Sequence, residues 1–178
     1  MRRVLALAAC ALFVAGCRPQ TPQGAGARAS ELAIRTLMAA WESADTALIL
    51  ELFSPDATYD DFASQVTAEG PVEIVGYVTA VHAWGDDVYK SIGRVHASET
   101  GAVAEWVFSA VQNRPMGDQI PIVTGLEVVL NGVTIIEMRN GLIVRAADYF
   151  DTAPMVLQLG GRIELPGGRF IDEGDVGN

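Results

Sequence analysis

The sequence predicts an α+β fold, a cone of three N-terminal helices packed on a strongly curved, mainly antiparallel sheet. Three observations lead there. Apolar residues at helical spacing are confined to the stretch before Gly85, whereas from Val88 onward the pattern has period two. The later half also carries one strong hairpin signal, Asn140-Gly141 between alternating segments, where both turn residues tolerate positive φ. With 178 residues, 50% of them hydrophobic, the chain is sized for one domain plus tails.

The first sixteen residues read as a signal peptide rather than as part of the fold. Arg2 and Arg3 precede an apolar run from Val4 to Val14, too short for a stable transmembrane helix, and Val14-Ala15-Gly16-Cys17 closes it. Small residues before a cysteine resemble the lipobox of bacterial lipoproteins, which implies a mature chain that starts at Cys17, carries lipid there and resides in the bacterial cell envelope. Cys10 lies inside the signal core, so the mature chain would keep Cys17 alone and form no internal disulfide. Residues 17–29, rich in Pro, Gln, Gly and Ala, read as a flexible tether. Loss of Arg2 and Arg3 moves the formal charge from -10 to about -12, which argues against nucleic acid and against electrostatic attachment to anionic lipid.

The domain is expected over residues 30–160. Ser30 is read as the N-cap of a first helix that buries Leu32, Ile34, Leu37, Met38 and Trp41. Asp45 caps a shorter second helix burying Leu48, Leu50, Leu52 and Phe53, and Ser54-Pro55-Asp56 ends it. A strand follows at Ala57 to Phe62, then a loop to Gly70. Pro71 opens a third helix with Val72, Val75, Val78, Thr79 and His82 on one face. Strands are expected at Val88 to Ala97, Ala102 to Gln112 and Ile122 to Leu130, then in the hairpin arms on either side of Asn140-Gly141. In the second of these strands Ala102, Ala104, Trp106, Phe108 and Ala110 share the inner face. In the last arm Leu142, Val144, Ala146, Asp148 and Phe150 share one face and Ile143, Arg145, Ala147 and Tyr149 the other, which sets a carboxylate in phase with apolar side chains. Residues 161–178 form a Gly-rich tail that either covers the domain or stays loose.

The order of elements, with FSPDATYDD, the Gly70 to Tyr77 helix start, AEWVFSA and NGLIVRAADYFD, resembles the SnoaL-like group of the nuclear transport factor 2 fold over about Glu31 to Gly160. The resemblance implies a cone whose interior holds an apolar small molecule, in a family that includes ketosteroid isomerases, polyketide cyclases and limonene-epoxide hydrolases. Set against the epoxide-hydrolase pattern, Asp148 matches the strand-borne Asp and Tyr59 the Tyr, Asp61 stands where an Asn is expected, and Trp106 and Phe108 replace the Arg and the second Asp. The residues that remain, Asp148 with Tyr59 and Asp61, suit simpler proton transfer, with Asp148 as base.

Two functions are therefore carried forward. One is an envelope-anchored protein that binds an apolar small molecule without catalysis. The other is an acid-base enzyme, an isomerase or cyclase and less readily an epoxide hydrolase, acting on a polycyclic ketone. Trp41, Trp106, Phe108, Met138, Phe150 and His82 are expected to line the cavity. No cofactor is expected, and no metal, because one mature cysteine and two distant histidines give no recognised ligand spacing. Ile135, Ile143 and Tyr149 projecting from the outer sheet face predict a homodimer.

Overall fold

The computed structural model describes residues 24–118 and 120–176. The signal segment and Cys17 lie outside the described residues. Helix α1 spans Ala25–Ser43, α2 Thr46–Leu52 and α3 Gly70–Trp84, and between the last two run strands β1 (Phe53–Asp61) and β2 (Val66–Glu69). Strands β3 (Gly85–Ser98), β4 (Gly101–Gln112), β5 (Glu127–Arg139) and β6 (Leu142–Phe150) follow. The chain then continues through α4 (Ala153–Gln158), β7 (Ile163–Glu164), β8 (Phe170–Ile171) and α5 (Glu173–Val176). One six-stranded sheet has the order β2-β1-β6-β5-β4-β3. It is mixed, because β1 runs parallel to β6 while the other neighbours are antiparallel.

Helix α1 starts earlier than its caps suggest. Gly24, in the left-handed region at φ 94°, precedes the first turn, so residues 25–29 are helical rather than tether, and Ser30 is buried inside the helix instead of capping it. Asp45 does cap α2, its side chain accepting from the Leu48 N–H at 3.0 Å. The face that α2 buries is Ile49, while Leu50 is exposed and Phe53 already belongs to β1. Helix α3 is apolar on nearly every side, which obscures its phase. It buries Ile74, Val78 and Trp84, and leaves Val72 exposed. Two short helices after the sheet, α4 and α5, have no counterpart in the three-helix expectation. The glycine-rich tail forms the β7-β8 hairpin.

Besides strand β2, which forms within the loop expected up to Gly70, two sheet features differ from the sequence reading. The strand expected at Ile122 to Leu130 begins later and runs without a break through Asn131-Gly132 to Arg139. Glycine is required at 132 by a close approach: a Cβ there would lie 2.4 Å from Cη2 and Cζ2 of Trp106. The second difference is a bulge. Glu137 pairs with Arg145 but Met138 pairs with Ile143, so β6 carries one extra residue, Val144, and its alternation changes phase there. Ile143 consequently turns inward and is buried, not outward as expected, in line with Ala146, Asp148 and Phe150.

The connection from β4 to β5, residues 113–126, is fastened at its base by Gln112. The buried amide donates from Nε2 to the carbonyls of Arg114 (3.0 Å) and Ile122 (2.9 Å), while its Oε1 accepts from the N–H (2.7 Å) and hydroxyl (2.6 Å) of Thr124. Arg114 in turn donates to the carbonyls of Ala83 and Gly85 and to Asp86, tying the connection to the C-terminal end of α3.

Candidate functional site

Helices α1, α3 and α4, the inner faces of β1, β3, β4, β5 and β6, and the β4-β5 connection line a partly open cavity of about 130 Å³. Trp41, Trp84, Trp106, Phe108, Leu130 and Phe150 supply its apolar walls, and Met116 and Met155 complete them. Three charged groups line the same space, Asp148, Asp61 and Lys90.

Asp148 is buried at 2% exposure, in the inward phase of β6. Its Oδ2 accepts from the Tyr59 hydroxyl at 2.8 Å and from Lys90 Nζ at 3.5 Å, and its Oδ1 accepts from the Thr134 hydroxyl. Thr134 Oγ1 also accepts from Trp106 Nε1 at 2.9 Å. Each carboxylate oxygen is thus held by a hydroxyl. The relay from Trp106 through Thr134 to Asp148 also fixes the indole that forms one cavity wall. Tyr59 stands behind Asp148 and outside the lining. Burial first, and then the Asp148 carboxylate, pushes its hydroxyl well above the ordinary tyrosine range, so it remains a donor.

Asp61 is also buried, but its oxygens are committed elsewhere. Oδ1 accepts the N–H groups of Ala63 and Ser64, both at 3.0 Å, and Oδ2 accepts the Tyr77 hydroxyl at 2.9 Å. A carboxylate that only accepts cannot polarise a carbonyl oxygen, and Tyr59 spends its proton on Asp148. The expected trio therefore splits, with Asp61 and Asp148 on one cavity and Tyr59 supporting from outside. Tyr77 is likewise raised by burial, then by Asp148 and Asp61.

Lys90 was missed by the sequence reading, and it completes the site. It is 4% exposed, with Nζ 4.2 Å from the Trp41 ring centroid and 4.3 Å from that of Trp106. Two indole faces and one carboxylate thus surround the ammonium, the environment that cation–π attraction favours. Burial pulls it below the ordinary lysine range, and Asp148 and Asp61 oppose that only in part. Two signals for it are in the sequence. Val88, Lys90 and Ile92 are in one period-two phase, and Lys90 is the single lysine of the chain.

Of the other residues expected in the lining, Trp41, Trp106, Phe108 and Phe150 are there; Met138 and His82 are not. Met138 lies beyond the bulge, towards the hairpin end. His82 points its Nε2 at the Trp41 carbonyl, 2.8 Å away, and so donates to α1 from outside the cavity. The indole N–H of Trp41 is buried with no acceptor among the described residues. Those residues also bring no three His, Cys, Asp or Glu side chains together as a metal site.

A sheet covered on one face by helices, with an aromatic cavity between the layers and a charged cluster on its wall, defines an α+β domain with an internal pocket. The chain belongs to the SnoaL-like domain family, whose sequence pattern matches residues 34–146. No curated protein sequence matches the chain. Among solved structures it is similar to a protein of ketosteroid isomerase-like fold from Catenulispora acidiphila, in complex with trimethylamine, at 21% identity over 72% of this chain and 92% of that one, with TM-score 0.63. A protein assigned to the SnoaL-like polyketide cyclases from Jannaschia sp. shares 13% identity over 74% and 92%, TM-score 0.67. An LEH-like epoxide hydrolase from M. tuberculosis shares 16% over 75% and 90%, TM-score 0.59. At such identities the likeness is one of fold.

Proposed function

We propose that this chain takes a compact, mostly apolar molecule with one polar group into its cavity and moves a proton on it. Asp148 is the base and Lys90 the donor that faces the developing charge. The observation that carries this reading is the Lys90–Asp148 pair, at 2% side-chain exposure for both partners, on the wall of an otherwise apolar cavity. Burying two charges costs several kcal/mol each before their attraction is counted, and a well-packed apolar pair is often the more stable choice. Strongly perturbed charge in a cleft is the mark of a functional site. Size limits the substrate. A cavity of roughly 150 Å³ accommodates one benzene-sized molecule, whereas drug-sized ligands occupy about 300 Å³ or more. At about 130 Å³ the space favours a single ring over the polycyclic ketone expected from sequence. The trimethylamine bound by the relative from C. acidiphila is a ligand on this smaller scale.

The reading is tested by proton exchange. Small cyclic ketones incubated with the protein in deuterium oxide should exchange their α-hydrogens faster than in buffer, as followed by NMR, and Asp148→Asn should abolish the gain. Saturable quenching of tryptophan fluorescence with no exchange would favour the second reading, a binding protein without catalysis. That reading rests on the aromatic walls and on Trp106 and Phe108 standing where related hydrolases carry charged residues. We further infer a mature chain lipid-anchored at Cys17 in the bacterial envelope, from the charge-free apolar run and small residues before it. We also infer a homodimer through the outer sheet face, where Phe62, Val107, Val129 and Tyr149 are exposed.

A further inference from the structure

We propose that Lys90 is a covalent site for a small aldehyde or ketone, forming an imine through Nζ inside the cavity. The inference rests on the compact-ligand reading above and adds the substrate's reactive group and the atom it bonds to.

Choice of residue is the first argument. Of the chain's twelve Lys and Arg residues eleven are arginine, and the single lysine stands on the cavity wall. For a purely structural ion pair with Asp148, arginine is the usual choice, since its planar fork meets a carboxylate with two bonds and stacks on indole rings. What lysine offers that arginine does not is a proton it can give up, leaving a nucleophilic nitrogen. Geometry is the second. Nζ lies 3.5 Å from Asp148 Oδ2, at the outer limit of a hydrogen bond and with that carboxylate as its neighbouring acceptor, and between Trp41 and Trp106 at 4.2 and 4.3 Å. The Asp148 carboxylate, held by the Tyr59 and Thr134 hydroxyls, is the group placed to take a proton from Lys90, which leaves the uncharged amine. Burial favours that uncharged form of Lys90.

The step balances without a further reactant. Once the Lys90 ammonium has passed one proton to the Asp148 carboxylate, Nζ adds to the carbonyl carbon, the C=O π electrons move to oxygen, and one Nζ proton is passed to that oxygen, giving a carbinolamine. Asp148 then protonates the hydroxyl, which leaves as water while the nitrogen lone pair forms the C=N bond. The product is a protonated imine beside an Asp148 carboxylate. The new cation occupies the position of the former ammonium, so the two indole faces and the carboxylate stabilise it as they did the lysine.

The experiment uses the full chain as purified, benzaldehyde as probe and sodium cyanoborohydride as trap. Trypsin cleavage and mass spectrometry then locate any benzyl group. The expected result is one benzyl group on Lys90, saturating with benzaldehyde concentration, and loss of at least nine-tenths of that label in Lys90→Arg. Binding is read separately from tryptophan fluorescence, so the two levels of the argument fail differently. Saturable quenching with no label on Lys90 overturns the covalent step and leaves the compact-ligand reading standing. Neither quenching nor label overturns both. Lys90→Met, checked for folding by circular dichroism, is the second variant: it should still quench and not label, and a label persisting elsewhere in the cavity overturns the assignment to Lys90.

Discussion

Replacing Gly132 by Ala tests whether the Trp106 wall of the cavity is held as described. The added Cβ would lie 2.4 Å from two atoms of the indole and 2.8 Å from the Tyr149 carbonyl, distances that real carbon contacts do not reach. The backbone side of this clash cannot yield cheaply, so the indole must move. Overpacking of this kind costs about 1–3 kcal/mol. Displacing the ring also breaks the buried bond from Trp106 Nε1 to Thr134, which adds about 1–3 kcal/mol for an unsatisfied donor. Against this, alanine restricts the unfolded chain more than glycine, worth roughly 0.4–1 kcal/mol in favour of folding. A net loss of about 2–5 kcal/mol is expected, and with roughly 2–4 °C per kcal/mol in a domain of this size the melting temperature should fall by about 5–15 °C. Thermal unfolding followed by circular dichroism and by tryptophan emission measures it. Trp106→Phe removes the outer ring that the Cβ meets, so Gly132→Ala in that background should cost at least 1 kcal/mol less, by the order of coupling seen between touching residues. A Gly132→Ala protein within about 0.5 kcal/mol of its parent, the ordinary scatter of surface changes, would refute the packing argument.

Five other outcomes are expected. Asp148→Asn leaves the Lys90 ammonium buried without its counter-charge and should lower stability by about 3–5 kcal/mol in urea unfolding, most of it regained when Lys90→Met is added; no recovery would mean that the two do not act as a pair. Tyr59 and Tyr77 hold their protons in the folded state above the ordinary value of 10.0, so their contribution is complete below that pH. It is lost above it at up to about 1.4 kcal/mol per pH unit for each, and Tyr59→Phe should reduce the slope. Lys90 acts oppositely, since the unfolded chain binds more protons between its lowered value and 10.5; its contribution should climb with pH up to 10.5 and stay level above it. Cys17→Ser should move the protein from the membrane fraction to the soluble fraction of its bacterial host, as read by fractionation and immunoblotting. Light scattering at micromolar concentration should give a dimer mass, and Tyr149→Lys with Val129→Lys should give a monomer.

Much of the architecture was legible because it depends on local chemistry. The Asn140-Gly141 turn has both residues at positive φ, 54° and 83°, and the inner row from Ala102 to Ala110 on β4 alternates as its sequence does. What was not legible came from partners distant in sequence. The bulge at Val144 is a mismatch between β5 and β6 that neither strand reveals alone, and it reversed the side on which Ile143 lies. Strand β2 is four residues long and owes its existence to pairing with β1. At the site, Asp148 announced itself by phase, whereas the same phase argument passed over Lys90. A lysine between β-strand neighbours ordinarily reaches water along its flexible stem. Only the tertiary placement of Trp41 and Trp106 makes burial of this one tolerable.

The saturated amide of Gln112 has a bearing on how much change the cavity wall tolerates. All four of its hydrogen-bonding positions are used to close the base of the β4-β5 connection, on Arg114, Ile122 and Thr124. Residues 115–121 therefore hang from a clasp whose strength does not depend on their identity or number. Met116, one of the side chains that line the cavity, belongs to that segment. Residues there can be exchanged, inserted or removed at little cost to the sheet, because doubling a loop's length adds only about 0.6 kcal/mol of closure entropy. The charged pair can thus stay fixed while the Met116 segment is refitted, separating the charged part of the cavity from the part that sets its size.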